Sequence, residues 1–301
     1  MFLRLLVPVF FSFVTALAAL HCQAASGKLL LTGGVSSIDG AAGGGLTPWA
    51  LIGSHGAEGQ FGATVYATVV RTHDYALASS GLLLADGERL ELSLARQDLD
   101  TRDNLAALGF GGLRLKQGIV GIKLRVAGDA VLDSDTWLPQ IAVGLLHKSA
   151  DSGALASTLN GALGARDSGT EAYFSASKLF LVPGVLVNAT LRATRANQGG
   201  LLGFGGAQAP GMRWLPEVSV GWLLGRGVAL GAEYRAKPDN LQRSVLGDGA
   251  LQEDDWMDVY VAWAPSKSFA LTAAWVDLGR IVPALQPRRQ RGAYFSGQVA
   301  F

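Results

Sequence analysis

The sequence predicts an all-β protein: an antiparallel transmembrane β-barrel of about twelve to fourteen strands, with short turns at one end and long loops at the other. Three observations carry this expectation. First, apolar and polar residues alternate with a period of two in segment after segment, as in strands buried on one face only. Second, 49% of the residues are hydrophobic, only 16% are charged and 40 are glycine, at a mean hydropathy of +0.28. Yet after Ala24 no run reaches the ~18 apolar residues that a membrane-spanning helix needs. A chain this apolar that crosses a membrane without helices must close its strands into a barrel, because hydrocarbon tolerates no unpaired backbone group. Third, the chain stops on Phe301 at the end of an alternating stretch: Phe301, Val299, Gly297, Phe295 and Ala293 on one side, Ala300, Gln298, Ser296 and Tyr294 on the other. That ending resembles the closing strand of bacterial outer-membrane barrels, through which barrel-assembly machinery would recognise the chain.

From the amino terminus, Arg4 precedes an uncharged apolar run from Leu5 to Leu20, and small residues flank a cleavage point after Ala24. Residues 1–24 therefore read as a secretory signal peptide. The rival, a membrane helix, is disfavoured by Pro8 and by the missing basic cluster after the run. Cys22, the only cysteine, leaves with the signal, which removes disulfide and thiolate chemistry. Removal of Arg4 balances 24 basic against 24 acidic residues, so no basic excess for nucleic acid remains.

Residues 25–46 form a Gly-rich segment or first strand, and the barrel is expected over residues 47–301. A phosphate-cradling reading of the glycines fails because Leu46-Thr47-Pro48-Trp49 follows them in place of Gly-Lys-Ser/Thr. Counting residues 28–35 as a strand gives about fourteen strands; dropping residues 47–53 gives about twelve, and the larger count is favoured. A β-sandwich is the soluble alternative, but its strands rarely form so long an apolar series.

The alternating sets follow in order. Phe61, Ala63, Val65, Ala67 and Val69 oppose Gly62, Thr64, Tyr66 and Thr68; Leu90, Leu92 and Leu94 oppose Glu91, Ser93 and Ala95. Val120, Ile122, Leu124 and Val126 oppose Gly121, Lys123 and Arg125. Val187, Ala189 and Leu191 oppose Asn188, Thr190 and Arg192; Val218, Val220 and Trp222 oppose Glu217, Ser219 and Gly221. Leu230, Ala232 and Tyr234 oppose Gly231, Glu233 and Arg235; Val259, Val261 and Trp263 oppose Asp258, Tyr260 and Ala262. Tight turns are expected at Pro183-Gly184, Gly225-Arg226-Gly227 and Pro265-Ser266-Lys267. Long connections span residues 149–168, 196–213, 238–254 and 279–291. Counting back from a periplasmic carboxyl end puts all three tight turns in the periplasm. Trp137-Leu-Pro-Gln-Ile-Ala-Val-Gly and Trp214-Leu-Pro-Glu-Val-Ser-Val-Gly look alike but run in opposite directions, so they are not a duplicated unit.

Several stretches carry a resemblance to a known family: Gly40-Ala-Ala-Gly-Gly-Gly-Leu-Thr-Pro-Trp-Ala-Leu-Ile52, Leu191-Arg-Ala-Thr-Arg-Ala-Asn-Gln198, Gly200-Leu-Leu-Gly-Phe-Gly-Gly206, Glu233-Tyr-Arg-Ala-Lys-Pro-Asp-Asn-Leu241 and Glu253-Asp-Asp-Trp-Met-Asp258. Together they resemble a proteobacterial family of outer-membrane proteins known only as a domain of unknown function. The resemblance implies an outer-membrane barrel and supplies no activity, ligand or catalytic residue.

Function must then be read from the inward-facing residues. Closing the hairpin around Gly225 and Gly227 pairs Leu224 with Val228, sets Glu217 opposite Arg235 and sets Ser219 opposite Glu233. Candidate lumen-lining residues are Glu91, Lys123, Arg125, Arg192, Glu217, Arg235 and Asp258; both signs are present, so no ion preference follows. Such side chains can sort solutes in a pore or simply fill the lumen as cross-strand ladders. Bulky Tyr66, Tyr173 and Tyr260, also inward, favour the filled alternative. The leading expectation is a passive, porin-like channel for small solutes. Its rival is a closed structural or assembly barrel.

A lipid hydrolase is the third reading; it would need a His with a Ser or Asp partner, and His55, His73 and His147 neighbour no nucleophile motif. The seven tryptophans read as interfacial girdles. Asp248, Glu253, Asp254 and Asp255 read as a solvated acidic loop without a calcium-site spacing. No cofactor, metal set or catalytic residue is expected, and the partners are outer-membrane lipid and small solutes.

Overall fold

A computed structural model describes residues 34–54, 60–131, 136–225 and 227–301. Two short strands, β1 (Val35–Ser36) and β2 (Ala42–Gly43), pair with each other. Twelve long strands follow: β3 (Phe61–Thr72), β4 (Ala76–Asp86), β5 (Leu90–Asp100), β6 (Arg114–Ala127), β7 (Gln140–Asp151), β8 (Ser168–Phe180), β9 (Val185–Thr194), β10 (Arg213–Gly225), β11 (Val228–Arg235), β12 (Trp256–Ser266), β13 (Phe269–Asp277) and β14 (Arg291–Ala300). Each pairs antiparallel with its chain neighbours, and β14 closes on β3 through the register Phe295↔Val69. At the seam, the Ala63 amide donates to Phe301 O at 2.7 Å and the Phe301 amide to Ala63 O at 2.9 Å. The twelve-stranded wall has no open strand edge, as a lipid-facing sheet requires. The count is the smaller of the two expected: residues 47–53 form no wall strand, Val35 pairs with Gly43 instead of with the wall, and residues 28–33 of the other expected strand lie outside the described residues.

Burial is inverted relative to a water-soluble protein. Outward positions are apolar and exposed, such as Leu94, Val120, Ile122, Phe174, Val259 and Phe295, whereas the alternate positions are buried and largely polar. Period-two alternation thus sorts side chains between lipid and lumen. Trp222 and Trp263 lie outward towards one end of the wall and Trp214 and Trp275 towards the other, as in interfacial girdles. Trp49 and Trp256 are the exceptions: both are buried inside the barrel.

The ends of the barrel differ. At the end where the chain terminates, the strands join at residues 181–184, 227 and 267–268, as the turn chemistry predicts, and at 87–89; residues 128–139 make a longer connection there. At the other end, residues 73–75 make one short turn, and longer connections cover 101–113, 152–167, 195–212, 236–255 and 278–290. These loops fold over the mouth. Leu201, Leu202, Leu241, Leu251, Leu278 and Ile281 pack with wall residues Val70, Leu77 and Leu99 into one apolar cluster.

The largest departure from expectation concerns residues 34–54. The barrel does not begin at residue 47: its first strand starts at Phe61, and every residue from 34 to 54 is buried. This segment forms an inner hairpin within the lumen. It enters at the turn end, where the Ser36 amide donates to Gln298 Oε1 at 2.8 Å, and reaches its tip at Asp39 and Gly40. It returns to the turn end beside Glu91, whose Oε2 accepts the Gly53 amide at 2.9 Å. Its small residues let the backbone pass close to the wall, and the backbone groups that its own short pairing leaves over bond to wall side chains, because the wall strands are already paired on both edges.

The inward tyrosines explain three wall glycines. Tyr66 lies opposite Gly81, Tyr173 opposite Gly144 and Tyr260 opposite Gly231. A Cβ at Gly144 would stand 2.2 Å from Tyr173 Cζ, and one at Gly231 2.3 Å from Tyr260 Cζ. Each ring therefore lies flat across a strand that offers no side chain, which keeps a bulky group within a narrow lumen. Gly144→Val should displace Tyr173 from a fully packed site and cost about 1–3 kcal/mol, the usual range for overpacking. The measurement is the temperature at which the folded, fast-migrating gel band converts to the unfolded one; an unchanged midpoint would contradict this account.

Candidate functional site

The hairpin β10–β11 shows how the wall builds the site. Its register places Glu217 opposite Arg235 and Ser219 opposite Glu233, as the sequence predicts. The closing pair differs: a bulge between Leu223 and Gly225 makes Gly225, not Leu224, the partner of Val228, and the register above the bulge is unaffected.

Six charged groups converge at the middle of the lumen. Arg192 on β9 donates from Nε to Glu217 Oε1 at 2.6 Å, from Nη2 to Glu217 Oε2 at 3.2 Å and from Nη1 to Glu171 Oε2 at 3.1 Å. Lys148 Nζ on β7 reaches Glu171 Oε2 at 2.9 Å, and Arg235 Nε lies 3.3 Å from Glu217 Oε1. Into this wall array the inner hairpin inserts Asp39. Its Oδ1 accepts from Lys148 Nζ at 3.0 Å and Gln97 Nε2 at 3.4 Å. Its Oδ2 accepts from Arg235 Nη1 at 2.9 Å and lies 3.6 Å from Arg192 Nη1. With Asp39 in place the acids Asp39, Glu171 and Glu217 balance the bases Lys148, Arg192 and Arg235. Balance of this kind is what permits charges to stay ionised away from water.

Two further wall groups hold the hairpin. Lys123 Nζ donates to Ala42 O and Leu51 O, both at 2.8 Å, and to Glu91 Oε2 at 3.0 Å, using all three of its protons. Glu91 Oε1 in turn accepts the Ala42 amide at 3.0 Å. Glu233 accepts the Leu46 amide at 2.7 Å, Thr47 Oγ1 at 2.6 Å and Ser219 Oγ at 2.9 Å. Nearby, Trp49 Nε1 donates to Ser219 Oγ at 3.0 Å.

Of the seven residues singled out from the sequence, Glu91, Lys123, Arg192, Glu217, Arg235 and Asp258 are buried in the lumen. Arg125 instead sits half-buried at the turn end, 4.0 Å from Glu88 Oε2. Asp258 lies opposite Glu233, with neither oxygen hydrogen-bonded among the described residues. Sequence reasoning missed Asp39, Lys148 and Glu171. The last two were reachable: outward Val143 and Leu145 put Lys148 inward, and inward Tyr173 puts Glu171 inward two residues away. Asp39 carried no periodic signal.

The lumen is occupied rather than open. Two cavities lined by its residues, one beside Trp49 and Tyr260 and one beside Tyr75 and Trp256, hold about 30 Å³ each, room for a water or two. Lys148 also donates to Gly199 O in the loop over the mouth at 3.0 Å, so one ammonium ties the inner hairpin to the outer cover. The acidic connection 236–255 is likewise no free solvated loop. Asp254 pairs with Arg280 at 2.7 Å, Asp255 accepts from Tyr234 at 2.5 Å, and buried Glu253 accepts the Gln198 amide at 2.9 Å. These carboxylates bind the loops to one another, because the loops must cover the mouth without leaving amides unpaired. His147 faces outward and bonds Thr170 at 3.0 Å, and His55 lies outside the described residues.

Glu253 and Lys237, 3.4 Å apart above the mouth, are both driven towards neutrality by burial, which outweighs their attraction: Glu253 rises to about 7 and Lys237 falls to about 8. The contribution of Glu253 is fully present below its unfolded value of 4.5 and is lost as pH rises through about 7. That of Lys237 is fully present above its unfolded value of 10.5 and is lost as pH falls through about 8. The cover should therefore be loosest between about pH 7 and 8 and tighten on acidification. Hydrogen-exchange protection of the Gln198 amide checks this, and Glu253→Gln should flatten its acid-side dependence.

A closed wall of twelve antiparallel strands, apolar outside and charged within, defines a transmembrane β-barrel. The chain belongs to the family described as "Protein of unknown function (DUF3034)", whose model matches residues 32–298. No curated protein matches it. Among solved structures it is similar to the KdgM porin, at 9% identity and a TM-score of 0.49 over 79% of this chain and 99% of that one. It is also similar to the COG4313 outer membrane channel from Pseudomonas putida F1, at 10% identity and a TM-score of 0.47 over 82% and 97%. Outer membrane phospholipase A from Escherichia coli resembles it at 10% identity and a TM-score of 0.42 over 82% and 94%. At these scores the likenesses assign none of those activities to this chain.

Proposed function

We propose that this protein is an outer-membrane channel for small solutes that rests closed, with residues 34–54 as its plug. One observation carries the reading: beside the apolar packing of Ile38, Leu46, Trp49, Leu51 and Ile52, the plug is held by hydrogen bonds and ion pairs to wall side chains, which water could satisfy once it moved. Ala42 and Leu51 rest on Lys123, Leu46 and Thr47 on Glu233, and Asp39 on Lys148 and Arg235. A barrel built only for rigidity is filled more cheaply with apolar side chains, since buried ion pairs add little net stability. Of the lumen residues named from the sequence, Glu91, Lys123, Arg192 and Arg235 thus act first as the plug's docking groups, and set the field for a solute once it has gone. The closed structural barrel is the second reading, favoured by the cover over the other mouth. Planar-bilayer recordings separate the two: the wild-type protein should conduct rarely, and a variant with loosened plug contacts should show discrete steps. Silence from every correctly folded variant would leave the structural barrel.

The proposed placement puts the turn end in the periplasm and the covered mouth outside, after cleavage behind Ala24. With Cys22 removed in the leader, a cysteine at exposed Asp248 should react with a membrane-impermeant maleimide on intact cells, and one at exposed Lys267 should react only after lysis. The reverse pattern would invert the orientation.

A further inference from the structure

The plug does more than fill space at its tip. Without Asp39, the wall array contains Lys148, Arg192 and Arg235 against Glu171 and Glu217, one cation in excess, closed off from water. Donors on four separate strands, β5, β7, β9 and β11, grip the two oxygens of the Asp39 carboxylate: Gln97 at 3.4 Å and Lys148 at 3.0 Å on one, Arg235 at 2.9 Å and Arg192 at 3.6 Å on the other. Lys148, Arg192 and Arg235 are each buried, and all are anchored by the wall carboxylates independently of the plug. The socket is therefore preorganised by the barrel, and the hairpin merely occupies it.

We propose that this socket is a carboxylate-binding site of the solute pathway, and that Asp39 closes the channel by standing in for the carboxylate of the solute. The inference rests on the channel reading and adds the substrate class to it. A monocarboxylate restores the charge balance that Asp39 provides; a neutral solute leaves the excess cation unpaired, and a cationic one adds to it. Binding of a carboxylated solute and docking of the plug are then mutually exclusive, so the solute opens its own path.

Two measurements test the socket. Asp39→Gly leaves a vacancy of the size of acetate. In detergent, acetate should raise the thermal midpoint of this variant, with an apparent affinity at least tenfold better than that of acetamide, its uncharged counterpart. Adding Arg235→Gln to the same chain should abolish the effect. Equal responses to acetate and acetamide would overturn the proposal. If Asp39→Gly does not fold, the wild-type protein supplies the comparison: glucuronate should expose residues 34–54 to protease and its methyl ester should not, and equal exposure by both would overturn the proposal. Neither readout needs conductance. Acetate rescue in a barrel that never conducts would sink the channel and keep the site; a conducting barrel indifferent to acetate would do the opposite.

Discussion

Replacing Arg192 with alanine is expected to lower stability by about 3–5 kcal/mol, the range for breaking a buried ion pair from one side. Arg192 holds Glu217 through two nitrogens and Glu171 through a third, and its guanidinium lies 5.7 Å from the centre of the Tyr173 ring. Its removal leaves Asp39, Glu171 and Glu217 facing only Lys148 and Arg235, an uncompensated negative charge in a closed lumen. Most of the loss is the penalty on the carboxylates left behind, not the worth of the bonds removed. The double variant Arg192→Met with Glu217→Gln, which restores neutrality, should therefore recover more than half of it. Arg192→Lys should fall between, since a point charge cannot match a two-toothed grip. Urea titration of the folded gel band measures all three; a double variant no better than Arg192→Ala would refute the charge argument.

Lys123→Met is expected to have a comparable effect, centred on the plug. The methionine keeps the length of the side chain but strands the Leu51 carbonyl, leaves the Ala42 carbonyl with only the Trp49 amide at 3.2 Å, and leaves Glu91 without its cation, again about 3–5 kcal/mol by the same reasoning. The wall itself loses no backbone bond, so the barrel should remain folded while residues 34–54 become sensitive to protease and conductance steps appear. Glu91→Gln should be milder, because an amide oxygen can still accept from Ala42 or Gly53. A folded Lys123→Met protein with a protease-resistant plug would count against the docking role of Lys123.

The barrel and the facing of its residues were legible in the sequence. Strand identity follows from the period of two, which is local: Val259, Val261 and Trp263 outward and Asp258 and Tyr260 inward are settled by consecutive residues, whatever lies elsewhere. Register followed where a tight turn fixed it, so Glu217 and Arg235 could be paired from the sequence even though a bulge shifted the closing residues. By the same alternation Lys148 and Glu171 were legible in principle, Lys148 three residues from outward Leu145 and Glu171 two from inward Tyr173.

What fills the lumen was decided only by the tertiary structure. Residues 34–54 show no periodicity, because their only sheet pairs two strands of two residues each, too short to impose one; their glycines suit a flexible leader and an inner hairpin equally well. Asp39 meets Lys148 across 109 residues and Arg235 across 196, and nothing local connects them. A lone aspartate in a glycine-rich stretch becomes the occupant of a three-cation socket only when the closed wall brings β7, β9 and β11 around one point. Alternation says which side chains face inward; only the closed barrel says which of them meet, and what they meet around.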